Sequence, residues 1–167
     1  MKFILQTFVL ISTFILYSCE ETSQNQTQED EEIITSSIAT ELVYKGQLGG
    51  GGTEGIQKQE THVTNTEDWE ALLEKMDSVN SVSENFSNTP IDFTTHTIVA
   101  VFDEVRNSGG YDVSITMEST TENQVARICY SAPSSDEIVT LAITQPFCIV
   151  KVPISETALI FKECMGI

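Results

Sequence analysis

The 167-residue chain carries 25 acidic residues against eight basic ones, a formal net charge of −17. That balance argues against nucleic-acid binding, which needs a basic surface to displace counterions from phosphates. It also argues against electrostatic attachment to anionic lipid, and leaves solubility, a basic partner or divalent cations as uses for the charge.

In chain order, residues 1–18 read as a leader rather than as part of a fold. "MKFILQTFVLISTFILYSC" has one lysine, Lys2, an apolar stretch from Phe3 to Tyr17, and small Ser18 ahead of Cys19. That is the layout of a secretory signal peptide, and its run of about fifteen apolar residues is shorter than the ~20 that a spanning helix needs. A cysteine directly after the small residue resembles a bacterial lipoprotein signal, in which Cys19 becomes the lipid-bearing N-terminus. The expected location is therefore the bacterial cell envelope, lipid-anchored at the outer membrane on its periplasmic face or at the cell surface. Residues 19–38, dominated by Glu, Gln, Thr and Ser, read as an acidic disordered tether. Glu20 and Glu21, directly after the cysteine, also resemble signals that export lipoproteins to the cell surface. Residues 39–167 suit a single globular domain with one core.

Within that domain, "ELVYKGQL" predicts a strand, followed by a flexible loop at Gly49–Gly52 and a weaker strand in "IQKQETHVT". "NTEDWEALLEKMDSV" predicts the one helix. Trp69, Leu72, Leu73 and Met76 fall at i, i+3, i+4 and i+7 on one apolar stripe, with Asn65 or Thr66 as cap and Trp69 as the largest anchor. "HTIVAVF" is apolar enough for a strand buried on both faces, and "YDVSITM" alternates strictly. "QVARICYSA", "EIVTLAIT", "PFCIVKVP" and "ALIFKE" follow at short spacing as further strands. The fold class expected is α+β: a mainly antiparallel, sandwich-like β meander with one amphipathic helix packed on it.

Chemistry is sparse. His62 and His96 are far apart in sequence, and neither lies near a nucleophile in the pattern a Ser-His-Asp or Cys-His site requires. No catalytic residue, cofactor or metal site is expected, and the chain reads as a non-enzyme. Asp103 and Glu104 offer hard oxygen ligands of the kind calcium takes, without the spacing of a known loop. Cys129, Cys148 and Cys164 lack metal-ligand spacing and read as buried thiols or one disulfide whose partners the sequence does not choose.

The stretch "VRNSGGYDVSI" places Gly109 and Gly110 between two apolar runs, as a tight hairpin demands. Beside them stands Arg106, the only basic residue between Lys75 and Arg127. Its guanidinium can grip Asp103, Glu104 or a partner's carboxylate. "RNSGGY" and "TQPFCIVKVP" together resemble the C-terminal domain family of the protease complex subunit PrcB, over a best-matching core of residues 96–153. Arg106, Ser108, Gly109, Gly110 and Tyr111 fit the first motif, and Thr144, Pro146, Phe147, Ile149 to Pro153 the second. The resemblance implies a lipoprotein that associates with a surface protease, with no catalytic residues to transfer. Lys151 packs its stem in an apolar strand and sends its head to an acid or the rim. Pro146 and Pro153 bracket that strand, which suits an edge able to receive another chain. The expected interaction surface is therefore Arg106, Ser108, Gly109, Gly110, Tyr111 and Lys151, on a lipid-anchored interaction module accessory to a protease. A small-ligand or cation-binding envelope lipoprotein is the alternative, and a concave aromatic-lined pocket would favour it.

Overall fold

The computed structural model describes residues 35–164 except Ser87. The leader 1–18, Cys19 and most of the 19–38 tether lie outside the described residues.

The strands are β1 (Ser36–Ser37), β2 (Glu41–Leu48), β3 (Gln59–Val63), β4 (His96–Phe102), β5 (Asp112–Ser119), β6 (Asn123–Ser131), β7 (Gln145–Pro153) and β8 (Ala158–Glu163). Between β3 and β4 lie helix α1 (Thr66–Met76) and a short 3-10 turn, Val82–Asn85. One sheet has the order β2-β7-β4-β3 and the other β1-β5-β6-β8. Every pairing is antiparallel except β6 with β8, which is parallel.

The α+β sandwich is as expected, but a meander it is not. β7 enters between β2 and β4, strands far from it in sequence, and β4 and β5 belong to different sheets. The reason is burial on both faces of β4 and β7. On one side Ile98, Ala100, Phe102, Phe147 and Ile149 pack with Leu72 and Met76 of α1 and with Phe86. On the other, Val99, Val101, Cys148, Val150 and Val152 meet Val113, Ile115 and Met117 of β5 and Ala126 and Ile128 of β6. Two continuous apolar strands therefore form the middle of three layers, as unbroken hydrophobic runs do when both faces are covered. β5, covered on one face, alternates instead.

Asn65 caps α1, its Oδ1 accepting from the Asp68 N–H at 2.9 Å. Of the apolar stripe, Leu72 and Met76 are the buried members. Trp69 is only partly buried, its ring 6.3 Å from that of Phe86. Ordered pairing begins earlier than the Ala39 boundary: Ser36 and Ser37 pair with Ser119 and Glu118, and Ile38 packs into the inter-sheet core. Cys129 and Cys164 form the disulfide, and Cys148 is the buried free thiol.

Candidate functional site

β4 ends at Phe102, and the chain leaves the sheet through Asp103, whose N–H donates to the Pro146 carbonyl at 2.8 Å. Three residues on, Arg106 forms an isolated two-way bridge with Thr144, N–H to carbonyl in both directions at 2.7 and 3.0 Å. The Thr144 hydroxyl then donates to the Ser108 carbonyl at 3.1 Å, and the Gly109 N–H to the Thr140 carbonyl at 2.9 Å. The segment 103–111 is thus a crossover between the two sheets, clamped along its length to residues 140–146. It is not the hairpin that the paired glycines predict, because the strands it joins are not neighbours.

The glycines serve that clamp. Gly110 has φ of +86°, and a Cβ there would stand 2.8 Å from both Pro133 Cβ and Val139 Cγ1. A side chain at this position would therefore be strained by its backbone and would push loop 132–144 away.

Arg106 is spent inside the protein. Its Nε and Nη2 reach Asp103 Oδ2 at 2.9 and 2.8 Å, and its Nη1 reaches Glu104 Oε1 at 2.7 Å. The guanidinium carbon sits 4.5 Å from the centre of the Tyr111 ring. Both carboxylates considered for a cation therefore share a single arginine, which leaves the trio with a net charge of −1. Tyr111 is held in turn through its carbonyl, which accepts from Gln47 Nε2 at 2.8 Å.

Lys151 does not join this group. Its Nζ pairs with Glu41 Oε2 at 2.6 Å, the acid expected for it, but it lies at the opposite end of β7 from Thr144. Seven residues of strand at about 3.3 Å each separate the two positions. Nor is β7 an edge: β2 and β4 occupy its two sides, so strand addition to it is ruled out. Its prolines sit at the two ends of a central strand instead.

Sequence reasoning missed the loop. "EIVTLAIT" has the apolar content of a strand, yet residues 137–143 form no strand. Ile138 is 100 % exposed, Leu141 91 % and Ile143 52 %. The glycine loop is the neighbour: a Cβ on Gly51 would lie 3.5 Å from Ile143 Cγ2, and one on Gly52 3.1 Å from Val105 Cγ2. Val105 is itself part-exposed. The available signal was bracketing by Pro133 and Pro146, which punctuates the run without revealing that no sheet position is left for it.

Between the glycine loop and the start of the 103–111 crossover lies a cavity of about 330 Å³ whose lining includes Gly52, Ile56, Gln57, Lys58, Glu104, Val105 and Gln145. A second, of about 290 Å³, lies by Glu41, His96 and Lys151. Neither is lined by a Phe, Tyr or Trp side chain.

The described residues therefore define an α+β sandwich in which the 103–111 crossover is tied to loop 132–144 through Arg106 and Gly109. Within it, residues 97–153 match the family model described as PrcB C-terminal. The match takes in β4, the 103–111 crossover, β5, β6, the exposed loop and β7. No curated protein and no solved structure matches the chain.

Proposed function

We propose that this chain is a non-enzymatic protein-interaction module of the bacterial envelope, lipid-anchored through Cys19 and accessory to a protease. The family match of residues 97–153 supports association with a protease complex. One observation carries the interaction surface: Ile138, Leu141, Ile143 and Val105 stand exposed on segments held by backbone hydrogen bonds rather than left loose. Clustered exposed apolar side chains mark interaction sites, and holding them in place beforehand lowers the ordering cost of binding. Arg106, Ser108, Gly109, Gly110 and Tyr111 act in this reading as the frame behind that surface.

The test is affinity capture from detergent-solubilised envelopes with the tagged full chain, with an Ile138→Ser/Leu141→Ser double variant, and with Val79→Ser as an exposed apolar control elsewhere. A stoichiometric partner kept by the control and lost by the double variant is the expected result. A partner retained by the double variant defeats the assigned surface, and no partner with the unaltered chain defeats the reading.

A further inference from the structure

The cavity below Val105 sits in an unusual chemical setting. Gln145 lines it and is 1 % exposed. Both hydrogens of its side-chain amide are taken, donated to the Ile56 carbonyl at 2.9 Å and the Asp103 carbonyl at 2.8 Å. That fixes the orientation of the amide and leaves Oε1 as a buried acceptor with no donor. Among the described residues two further buried carboxylate oxygens lack donors, Asp103 Oδ1, on the residue whose carbonyl Gln145 holds, and Glu54 Oε2, and neither residue lines the cavity. Glu54 lies in the glycine loop, its other oxygen accepting from the Gly50 N–H at 2.7 Å. Buried polar groups without partners are rare in native proteins; the Tyr130 hydroxyl, on the ring under Lys58, is another and can donate as well as accept, whereas Gln145 Oε1 can only accept.

Among the described residues most of the cationic donors are already engaged. Lys45, Lys58, Arg106, Arg127 and Lys151 are held in ion pairs. Lys58, the cation in the cavity lining, is engaged by Glu163 at 3.2 Å and stacked over the Tyr130 ring at 4.0 Å. Glu104, at the cavity's edge, keeps 60 % of its side chain exposed while its Oε1 pairs with Arg106. Ile56 and Val105 form the aliphatic part of the lining, beside Gly52 and the amide of Gln57.

We propose, building on the interaction-module reading, that this cavity receives an arginine or lysine side chain of the protein partner. The aliphatic stem packs on Ile56 and Val105 while the head donates to Gln145 Oε1 and to Glu104. A guanidinium or ammonium is donor-only, which is what the unpartnered Gln145 Oε1 requires, and its methylenes suit Ile56 and Val105. The chain's net charge of −17 draws such a partner and repels an acidic one. Flanking apolar residues on the partner then meet Leu141 and Ile143.

The experiment titrates ¹⁵N-labelled full chain in micelles with acetyl-Leu-Arg-Leu-amide, the same tripeptide bearing citrulline for arginine, and arginine amide. The expected result is saturable shifts at the Gln145 side-chain amide and at the Glu104 and Val105 backbone. The citrulline peptide should bind about tenfold more weakly, since it keeps the shape and loses the charge. Glu104→Gln should weaken the arginine tripeptide several-fold, and high salt should weaken it too. Equal binding of arginine and citrulline peptides, or no shift at these residues, overturns the proposal. Arginine amide binding as tightly as the tripeptide also overturns it, assigning the cavity to a free small cation. An envelope partner lost with Ile138→Ser/Leu141→Ser but indifferent to Glu104→Gln removes the cavity from the interface and leaves the interaction reading standing. Arginine-tripeptide binding with no envelope partner does the reverse.

Discussion

The Arg106 guanidinium holds a carboxylate, that of Asp103, which is 1 % exposed and accepts from both Nε and Nη2 on its Oδ2. The other oxygen, Oδ1, has no partner among the described residues, so Arg106 is what makes the buried charge tolerable. Removing one member of such a pair leaves an uncompensated charge. Arg106→Ala is expected to cost about 2–3 kcal/mol, the low end of that effect because the guanidinium is part-exposed. Arg106→Lys should recover part of the loss, since an ammonium cannot reproduce the fork. Urea denaturation of the three proteins checks both, and equal stability would remove Arg106 from its role as clamp. Loss of a partner in Arg106→Ala would therefore not by itself locate the interface, and the exposed loop residues are better probes.

Two positive-φ glycines make a contrast. Gly110, at φ of +86°, faces Pro133 and Val139 at clash distance, whereas Gly55, at +68°, has nothing within 4 Å of a hypothetical Cβ. Gly55→Ala should lose only the left-handed backbone penalty, about 1–2 kcal/mol. Gly110→Ala should lose that and more, and should raise amide exchange across residues 132–144. Equal destabilisation by the two, with no change in exchange, would show that the crossover does not hold the loop.

How far the sequence revealed these features depended on whether one residue or a distant pairing decided them. The bounds of β2 and β4 followed from alternation and apolarity, and the Asn65 cap from local chemistry. "PFCIVKVP" read as a strand correctly, but its place between β2 and β4 rests on contacts with residues about fifty and a hundred positions away, which no local pattern encodes. The same limit turned a crossover into an expected hairpin, since Gly109-Gly110 would look alike in either. The cavity was illegible for a related reason: Ile56, Asp103 and Gln145 become neighbours only once β4 and β7 pair.

β8 is the final strand of its sheet, paired to β6 alone, and the Cys129–Cys164 disulfide lies at the end of that pairing, where the Cys164 N–H also donates to the Ile128 carbonyl at 2.8 Å. The closed loop spans 35 residues, for which chain-entropy arguments give about 3–4 kcal/mol of stabilisation. Cys164→Ser should lower stability by that order and speed amide exchange in residues 158–163 before exchange in β4 and β7. Uniform acceleration across both sheets would mean that β8 unfolds only with the whole domain.

Cys148 faces the inter-sheet core from the centre of β7, and burial pushes its thiol up to about 11, from an ordinary 9.0. Such a group is a poor nucleophile in the native state. In a Cys19→Ser background, a disulfide-exchange reagent should find no reactive thiol at neutral pH until denaturant is added, and then one. The linkage has a definite sign. The folded-state value lies above the unfolded one, so below pH 9 both states keep the proton and the contribution to stability is complete. As pH rises from 9 towards 11 the unfolded chain ionises first, and stability attributable to Cys148 falls by about 2–3 kcal/mol. Comparing wild type with Cys148→Ala across that window isolates the effect: the stability difference between them should shrink with rising pH. A constant difference would mean that the thiol ionises as readily in the folded state as in the unfolded one, and that the core between the sheets is wetter than its packing implies.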